Sequence, residues 1–437
     1  MNALLCMFLA TTFGNGKPNV VVILGDDTGW AEFGFQGNKE IPTPNIDSIA
    51  ANGVRFTQGY VSGPYCSPTR AGLMTGRYQT RFGHEFNSSA SKKLGLSLKE
   101  KTIADHLKGA GYATCAIGKW HLGAGDDHKP MKRGFDEYFG TLGNTPYFHP
   151  TQFVDSRISS DVMKIDDPNF YTTDAYGDRA AEWIGKQNGP YFLYLPFNAQ
   201  HAPLEATKDK LAKFAHIQNE KRRTFAAMMS SMDDAVGKVL AKIREKKQEE
   251  NTIIFFFTDN GGPTGNNTSI NTPLRGVKAT TWEGGVRIPF CMQWKSKLSP
   301  QTYEEPVIQL DILPTCLAAI GVETPKNLDG VDLMPFLDKR TKLAQPHQTL
   351  YWRFGDQWAV RHGDWKLVKA NGGGMEPGLY NLKEDISESK NLAEANPEKV
   401  SELKSLWDKW NGEQAPPIAP KEKAKNKKKP AAPPPAV

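Results

Sequence analysis

NTIIFFFTDNGG, residues 251–262, is an unbroken run of β-branched and aromatic residues that stops at a carboxylate, an amide and two glycines. NVVVILGDD, residues 19–27, has the same form. Neither run alternates polar with apolar. Both faces of each strand are therefore predicted to be covered, as in a parallel sheet flanked by helices. GPYFLYLPFNAQHAP (189–203) has the same character, and ATCAIGKWHLG (113–123) is a shorter fourth strand. Helical patterns alternate with these runs: IDSIAANG (46–53), TIADHLKGAG (102–111) and RTFAAMMSSMDDAVGKVLAKIREKK (223–247). The alternation predicts an α/β fold with a large, mostly parallel sheet sandwiched by helices. In such sheets ligands bind beyond the carboxyl ends of the strands. Asp26, Asp27, His121, His201, Asp259 and Asn260 all fall there.

Past about residue 345 the texture changes. QTLYWRFGDQWAVRHGDWKLVKA (348–370) alternates and carries turn signals, and GLYNLKEDISE (378–388) follows it. This predicts a small antiparallel sheet. NPEKVSELKSLWDKWNGE (396–413) is an amphipathic helix suited to pack on that sheet. The chain then divides into a leader (1–16), a large α/β domain (17–345), a C-terminal antiparallel subdomain (346–414) and a disordered Lys/Pro/Ala tail (415–437). No internal repeat is evident.

The formal net charge of +6 is misleading, because KEKAKNKKK (421–429) holds six lysines against one glutamate. The remainder is close to balanced, so no nucleic-acid-binding body is expected. Five cysteines are scattered at 6, 66, 115, 291 and 316 with no CxxC pair, which argues against a structural zinc site or a disulfide framework. No stretch reaches the ~18 apolar residues of a membrane span. The N-terminal MNALLCMFLATTFG resembles part of a secretion signal without a basic start or a small-x-small cleavage site. A periplasmic or secreted location is the expectation, with an unstructured leader as the alternative.

The chemistry gathers at two carboxylate pairs and one short helix. Asp26-Asp27 and Asp259-Asn260 each end a buried strand. Either pair alone reads as turn chemistry. Two pairs at the ends of strands of one sheet point to a hard cation, Ca²⁺ or Mg²⁺, since all four donors are oxygen. In GPYCSPTRAGLMTGRY (63–78), Ser67 reads as an N-cap and Pro68 as the first helical residue, with Gly76 as the stop. Arg70 then lies near the positive end of the helix dipole, where a cation is disfavoured, and Cys66 lies where a thiolate or bound anion is favoured. Lys119 and His121 share GKWHLG, His201 sits in QHAP, and Lys278 sits in the Gly-rich RGVKATTWEGG. A divalent cation, Arg70, two lysines and two histidines form a set suited to a tetrahedral oxyanion.

CSPTRAGLMTGR (66–77) matches the signature C-x-P-[ST]-R-x(3)-[LM]-T-G-R of the type I sulfatases. GKWHLG, the DD after the first strand, DNGG and KATTWEGGVR resemble further motifs of that family, in the family's order. The chain thus resembles a formylglycine-dependent sulfatase of the arylsulfatase A and N-acetylgalactosamine-6-sulfatase kind, over roughly residues 17–390. The resemblance implies the mixed, mostly parallel sheet of the alkaline phosphatase-like superfamily. It implies that Cys66 is converted to formylglycine by a formylglycine-generating or sulfatase-maturing enzyme. It implies one Ca²⁺, or Mg²⁺, held by Asp26, Asp27, Asp259, Asn260 and the modified Cys66. The hydrated aldehyde would attack sulfur, with Asp259 accepting a proton and Arg70 orienting the diol. Lys119, His201 and Lys278 would hold sulfate, His201 would protonate the leaving oxygen, and His121 would take the proton of the second hydroxyl. The implied substrate is a sulfated small molecule or carbohydrate. His84, Asn144, His149, Gln200 and Arg275 stand on loops near the motifs as candidate pocket residues, each readable as a bystander. Two other functions fit the same residues. One is a formylglycine-dependent phosphonate or phosphate ester hydrolase. The other is an unmodified, inactive relative that acts as a binding protein.

Overall fold

The computed structural model describes residues 16–87, 94–341 and 343–418. The expected leader through residue 15 and the tail from residue 419 lie outside the described residues. The strands in chain order are β1 (Asn19–Gly25), β2 (Val54–Phe56), β3 (Gly59–Tyr60), β4 (Ala113–Lys119), β5 (Glu137–Thr141), β6 (Phe153–Asp155), β7 (Tyr191–Pro196), β8 (Thr252–Thr258), β9 (Phe290–Gln293), β10 (Gln301–Tyr303), β11 (Val307–Ile308), β12 (Thr349–Phe354), β13 (Gln357–His362), β14 (Trp365–Lys369) and β15 (Gly378–Asn381). The first six helices are α1 (Pro44–Ala51), α2 (Cys66–Thr75), α3 (Ile103–Gly109), α4 (Thr172–Lys186), α5 (Lys208–Lys213) and α6 (Glu220–Glu245).

Nine strands form one mixed sheet in the order β10-β2-β9-β8-β1-β7-β4-β5-β6. β1 lies at its centre, parallel to both β7 and β8, with Val22 opposite Tyr194 on one side and Phe255 on the other. β9 and β6 run antiparallel to their neighbours. The period of 2 along each strand splits the unbroken apolar runs between two cores. Val20, Val22 and Leu24 of β1, with Phe255 and Phe257 of β8, face the layer holding α2 and α3. Val21, Ile23, Ile254 and Phe256 face the layer of α1, α4 and α6, where Ile46, Trp183 and Met232 pack. Each of these apolar side chains is almost fully buried, contributing about 1.5–3 kcal/mol by removal from water. Two covered faces are the reason the sequence shows no alternation here.

Because β1, β4, β7 and β8 run parallel, their carboxyl ends open on one edge of the sheet. Asp26-Asp27, Lys119, His201 and Asp259-Asn260 sit at or just past those ends.

The four strands β12 to β15 make a separate antiparallel meander. The helix Pro397–Gly412 packs on it, with Trp407 against Trp358 at 4.6 Å between ring centroids. Ala415 and Ile418, at the expected start of the tail, donate backbone hydrogen bonds to Thr80 and Gly83 carbonyls at 3.0 and 2.9 Å.

The helix carrying Cys66 departs from the sequence expectation. It begins at Cys66 itself, with Tyr65 in the cap position, and Ser67 makes no cap hydrogen bond. The Ser67 hydroxyl is committed elsewhere, to the His121 carbonyl at 2.6 Å and His84 Nε2 at 2.7 Å. Gly76 ends the helix in the left-handed region at φ 63°, as expected.

Candidate active site

Cys66 is fully buried at the first turn of α2. Its Sγ lies 3.1 Å from Lys278 Nζ, 3.5 Å from Asp26 Oδ1 and 4.0 Å from Asp27 Oδ1. Burial, reinforced by the charges of Asp259 and Asp26, pushes the thiol well above its usual pKa, against the pull of Lys119 and Lys278. The helix terminus therefore does not make Cys66 a thiolate, contrary to the expectation from its position. An unmodified Cys66 is a poor nucleophile at neutral pH.

Around the sulfur stand three buried carboxylates and the basic side chains of Arg70, Lys119 and Lys278. Arg70 Nη2 bridges Asp259 Oδ2 at 2.8 Å and Asp26 Oδ2 at 3.1 Å, and its Nη1 donates to the Lys119 carbonyl at 2.8 Å. Lys119 Nζ pairs with Asp26, and Lys278 Nζ pairs with Asp27. Burial alone would raise the Asp26 pKa, but Lys119, Arg70, His201 and Lys278 together hold it far below the carboxylate range. Asp259 is pushed up to about 6 by burial and by the charge of Asp26, with Arg70 and Lys119 opposing. Here a cation at a helix N-terminus is explained by the carboxylates it bridges.

Asp26, Asp27, Asp259 and Cys66 offer ligand atoms that all lie within 4.8 Å of one another. Asn260 Nδ2 donates to Asp27 Oδ1 at 2.8 Å and to the Gly261 carbonyl at 3.0 Å, which leaves Asn260 Oδ1 buried with no partner. A buried amide oxygen without a donor is costly. Its position beside three carboxylates completes an all-oxygen donor set for a hard cation. Gly261 is required next to it: a Cβ there would lie 1.7 Å from the carbonyl oxygen of Gly284, in the short helix Glu283–Val286 that follows the Lys278 loop. The DNGG glycine thus lets the Gly-rich loop close on the carboxylates.

The two histidines take different places. His201 Nε2 lies 3.6 Å from Asp27 Oδ2 and its Nδ1 is 2.6 Å from the Ala202 carbonyl. His121 is buried, has φ 62°, and its Nδ1 has no partner. Burial lowers the pKa of both, with Lys119 adding to the effect, so both rings favour the neutral form.

A cleft of about 860 Å³ opens beside His121, lined by Asn144, Gln152, Lys129, Asp126 and Val162 among others. Of the five candidate pocket residues, Asn144 alone lines it. His84 is buried behind α2 on Ser67. Gln200 is buried and accepts from Thr28 Oγ1 at 2.6 Å. Arg275 lies over the Trp282 ring at 3.8 Å and donates to the Glu388 carbonyl at 2.9 Å, so it secures the junction with the C-terminal sheet. His149 is exposed and absent from the cleft lining. Lys129 and Gln152 had no sequence signal, since they lie outside helices and strands with no period to mark them.

The Sulfatase family profile matches residues 18–322, which include every strand end just described. The chain belongs to the sulfatase family. The profile described as N-sulphoglucosamine sulphohydrolase, C-terminal, matches residues 277–414. The sulfatase is 30% identical to the N-acetylgalactosamine-6-sulfatase of Sus scrofa over 387 residues, 82% of this chain and 73% of the relative. It is 30% identical to arylsulfatase G of Rattus norvegicus over 448 residues, 87% of this chain and 84% of the relative. Among solved structures, that of Ps i-CgsB superposes with a TM-score of 0.84 at 34% identity, covering 92% of this chain and 94% of the other. The expected fold, with its mixed sheet and small C-terminal antiparallel sheet, stands. So does the reaction class, a sulfuric-ester hydrolase. Among the described residues no helix is long and apolar enough to cross a membrane.

Proposed function

We propose that this sulfatase hydrolyses sulfate esters of carbohydrates through a formylglycine made from Cys66, with one divalent cation. The carrying observation is the position of the Cys66 sulfur among three carboxylates and three basic side chains, in a setting that disfavours the thiolate. Conversion to an aldehyde by a maturing enzyme would supply, once hydrated, the hydroxyl nucleophile that the thiol does not.

The cation fits the residues present. Asp26, Asp27, Asp259 and Asn260 Oδ1 would hold it, joined by the modified Cys66 side chain, and the all-oxygen set suits Ca²⁺, with Mg²⁺ the second choice. A bound divalent ion lowers the pKa of hydroxyls near it and stabilises negative charge. It would also make a charge-balanced site strongly positive, as an anionic sulfate ester requires.

The chain's own groups then divide the work. Lys119 and Lys278, each reaching the carboxylates by its ammonium, hold sulfate oxygens. Arg70 is locked by four hydrogen bonds to carboxylates and a carbonyl, and fixes Asp259 and Asp26 in place. Asp259 Oδ1 accepts the nucleophile's proton, Oδ2 being held by Arg70. His201 Nε2 faces Asp27; because Nδ1 donates to the Ala202 carbonyl, Nε2 is bare in the neutral ring, so His201 protonates the leaving oxygen from its doubly protonated form, and the unpartnered His121 takes a proton on return to the aldehyde.

The cleft beside His121 would take the leaving group. Its volume of about 860 Å³ lies toward the upper end for small-ligand sites. Its polar side chains, interleaved with the apolar Ala124, Leu142 and Val162, suit the hydroxyl-rich edges and apolar face of sugars. The structure of Ps i-CgsB in complex with k-i-k-neocarrahexaose, at 33% identity and a TM-score of 0.83, supports a carbohydrate ligand. A periplasmic or secreted location agrees with such a substrate. The phosphonate monoester hydrolase of Agrobacterium radiobacter, at 18% identity and a TM-score of 0.65, shares the fold alone.

The test is sulfate release by ion chromatography from sulfated galactose and glucosamine oligosaccharides, beside matched phosphonate monoesters. Sulfate esters should be preferred by at least about 100-fold in kcat/KM, and Cys66→Ala should release none. Equal or better phosphonate hydrolysis would overturn the assignment.

A further inference from the structure

His121 holds its ring at the site from a backbone conformation that non-glycine residues seldom adopt, φ 62°. Such a conformation persists only when its surroundings fix it. The His121 N–H donates to the Leu142 carbonyl at 3.1 Å, which ties one side of the residue to the loop after β5. The other side, the His121 carbonyl, is tied by a single side chain: Ser67 Oγ donates to it at 2.6 Å.

Ser67 is itself held at three points. Its N–H donates to Asn87 Oδ1 at 3.1 Å, its Oγ meets His84 Nε2 at 2.7 Å, and its neighbour in the chain is Cys66. Ser67 and His84 are both fully buried. A hydroxyl has one proton, and a carbonyl can only accept. The Ser67 proton therefore goes to His121, and His84 must donate to Ser67 through an Nε2-bound hydrogen. The segment carrying His84 is anchored in turn. Glu85 accepts from Arg353 Nε at 2.9 Å and from the Gly355 N–H at 2.6 Å, both in the first hairpin of the C-terminal sheet. Phe354 of the same hairpin packs on Tyr65 and Phe86, at 5.5 and 5.2 Å between centroids.

We propose that Ser67, oriented by His84, is a positioning residue that holds His121 in its left-handed conformation and so sets the distance between the His121 ring and the Cys66 side chain. The proposal rests on the assignment of His121 to sulfate ester hydrolysis. It gives the second residue of the signature a task in this chain, and gives the C-terminal hairpin a mechanical route to the site through Glu85 and His84.

The test uses full-length protein produced with a maturing enzyme, with aldehyde content of the Cys66 peptide measured by mass and used to normalise every rate. Ser67→Ala removes the hydrogen bond to His121 and leaves the site residues untouched. With an aryl sulfate as probe, kcat per aldehyde should fall by at least about tenfold, with KM within about twofold, as expected for a displaced group near the reacting atoms. Ser67→Thr, which keeps the hydroxyl, should recover kcat to within about threefold. His84→Leu should lose kcat like Ser67→Ala, and His84→Gln, which retains a donor, should recover most of it. The second readout needs no aldehyde: a crystal structure of unmodified Ser67→Ala should show His121 out of the left-handed region. His121 still near φ 62° in that structure, or kcat within about twofold of wild type in both Ser67→Ala and His84→Leu, overturns the proposal. Wild-type protein that carries the aldehyde yet releases no sulfate overturns the functional assignment instead, and the crystallographic result stands apart from it.

Discussion

Glu388→Gln should steady the junction between the two sheets at alkaline pH and leave it unchanged at acid pH. Glu388, Glu283 and Lys366 are fully buried together, and Lys366 Nζ lies 2.8 Å from Glu283 Oε1 and 3.0 Å from Glu388 Oε1. One ammonium thus serves two carboxylates. Glu283 has further partners, the Tyr60 hydroxyl at 2.7 Å and Arg287 at 3.4 Å. Although burial pushes the Glu283 pKa up, Lys366, Arg287 and Arg361 hold it at about 2. Glu388 accepts the Glu283 N–H at 2.7 Å, but its Oε1 has no aligned donor. Burial, opposed by Lys366 and reinforced by the charge of Glu283, pushes Glu388 from 4.5 up to about 7. The folded state therefore holds this proton more tightly than the unfolded chain does. The resulting stability is fully present below pH 4.5 and is lost as pH rises through 7. At about 1.4 kcal/mol per pKa unit, the loss between pH 5 and pH 8 is about 2–3 kcal/mol. Glutamine keeps the neutral form at every pH. With an unfolding entropy of about 2 cal/mol/K per residue, the variant should match wild type in Tm at pH 5 and exceed it by about 3 °C at pH 8. Scanning calorimetry of both proteins across that range is the assay, and other titrating groups cancel in the difference. A Tm difference independent of pH, or a variant less stable at pH 8, would refute the reasoning.

Four further outcomes follow from the site. Arg70→Met removes the cation between Asp26 and Asp259, so metal-free protein should lose about 3–5 kcal/mol of stability in denaturant titrations and all sulfate release. Chelation of calcium should abolish turnover and lower Tm, and Asn260→Ala should weaken calcium binding by at least about tenfold in isothermal titration, since it removes the unpartnered oxygen. Asn144→Trp, at the exposed rim of the cleft, should raise KM for a sulfated oligosaccharide at least about tenfold while an aryl sulfate keeps its kcat/KM within about threefold.

The parts legible in the sequence are those where one physical cause dominates. β1 and β8 announce themselves because both faces of each are buried, which removes alternation and leaves a run that only a covered sheet tolerates. Their carboxylates were legible for the same reason, since a parallel sheet brings such ends to one edge. Short strands such as β2, β3 and β11, of two or three residues, carry too few side chains to show any period. The expected strands through His121 and His201 end earlier, at Lys119 and Pro196, because the site residues occupy the loops that follow. Ser67 was misread because local capping chemistry competes with a tertiary acceptor, the His121 carbonyl, which sequence spacing does not reveal. Arg275 and His84 looked like pocket residues from their places beside motifs. Their partners, Trp282 and Glu388 for one and Ser67 for the other, were fixed only by the packing of distant segments.

The central claim is that Cys66 acts as an aldehyde. It is tested most directly by the mass of the tryptic peptide 56–70, FTQGYVSGPYCSPTR, from protein made alongside its maturing enzyme. Formylglycine makes that peptide about 18 Da lighter than the thiol form, and sulfate release should rise in proportion to the light fraction. An intact thiol throughout a preparation that hydrolyses sulfate esters at full rate would contradict the account.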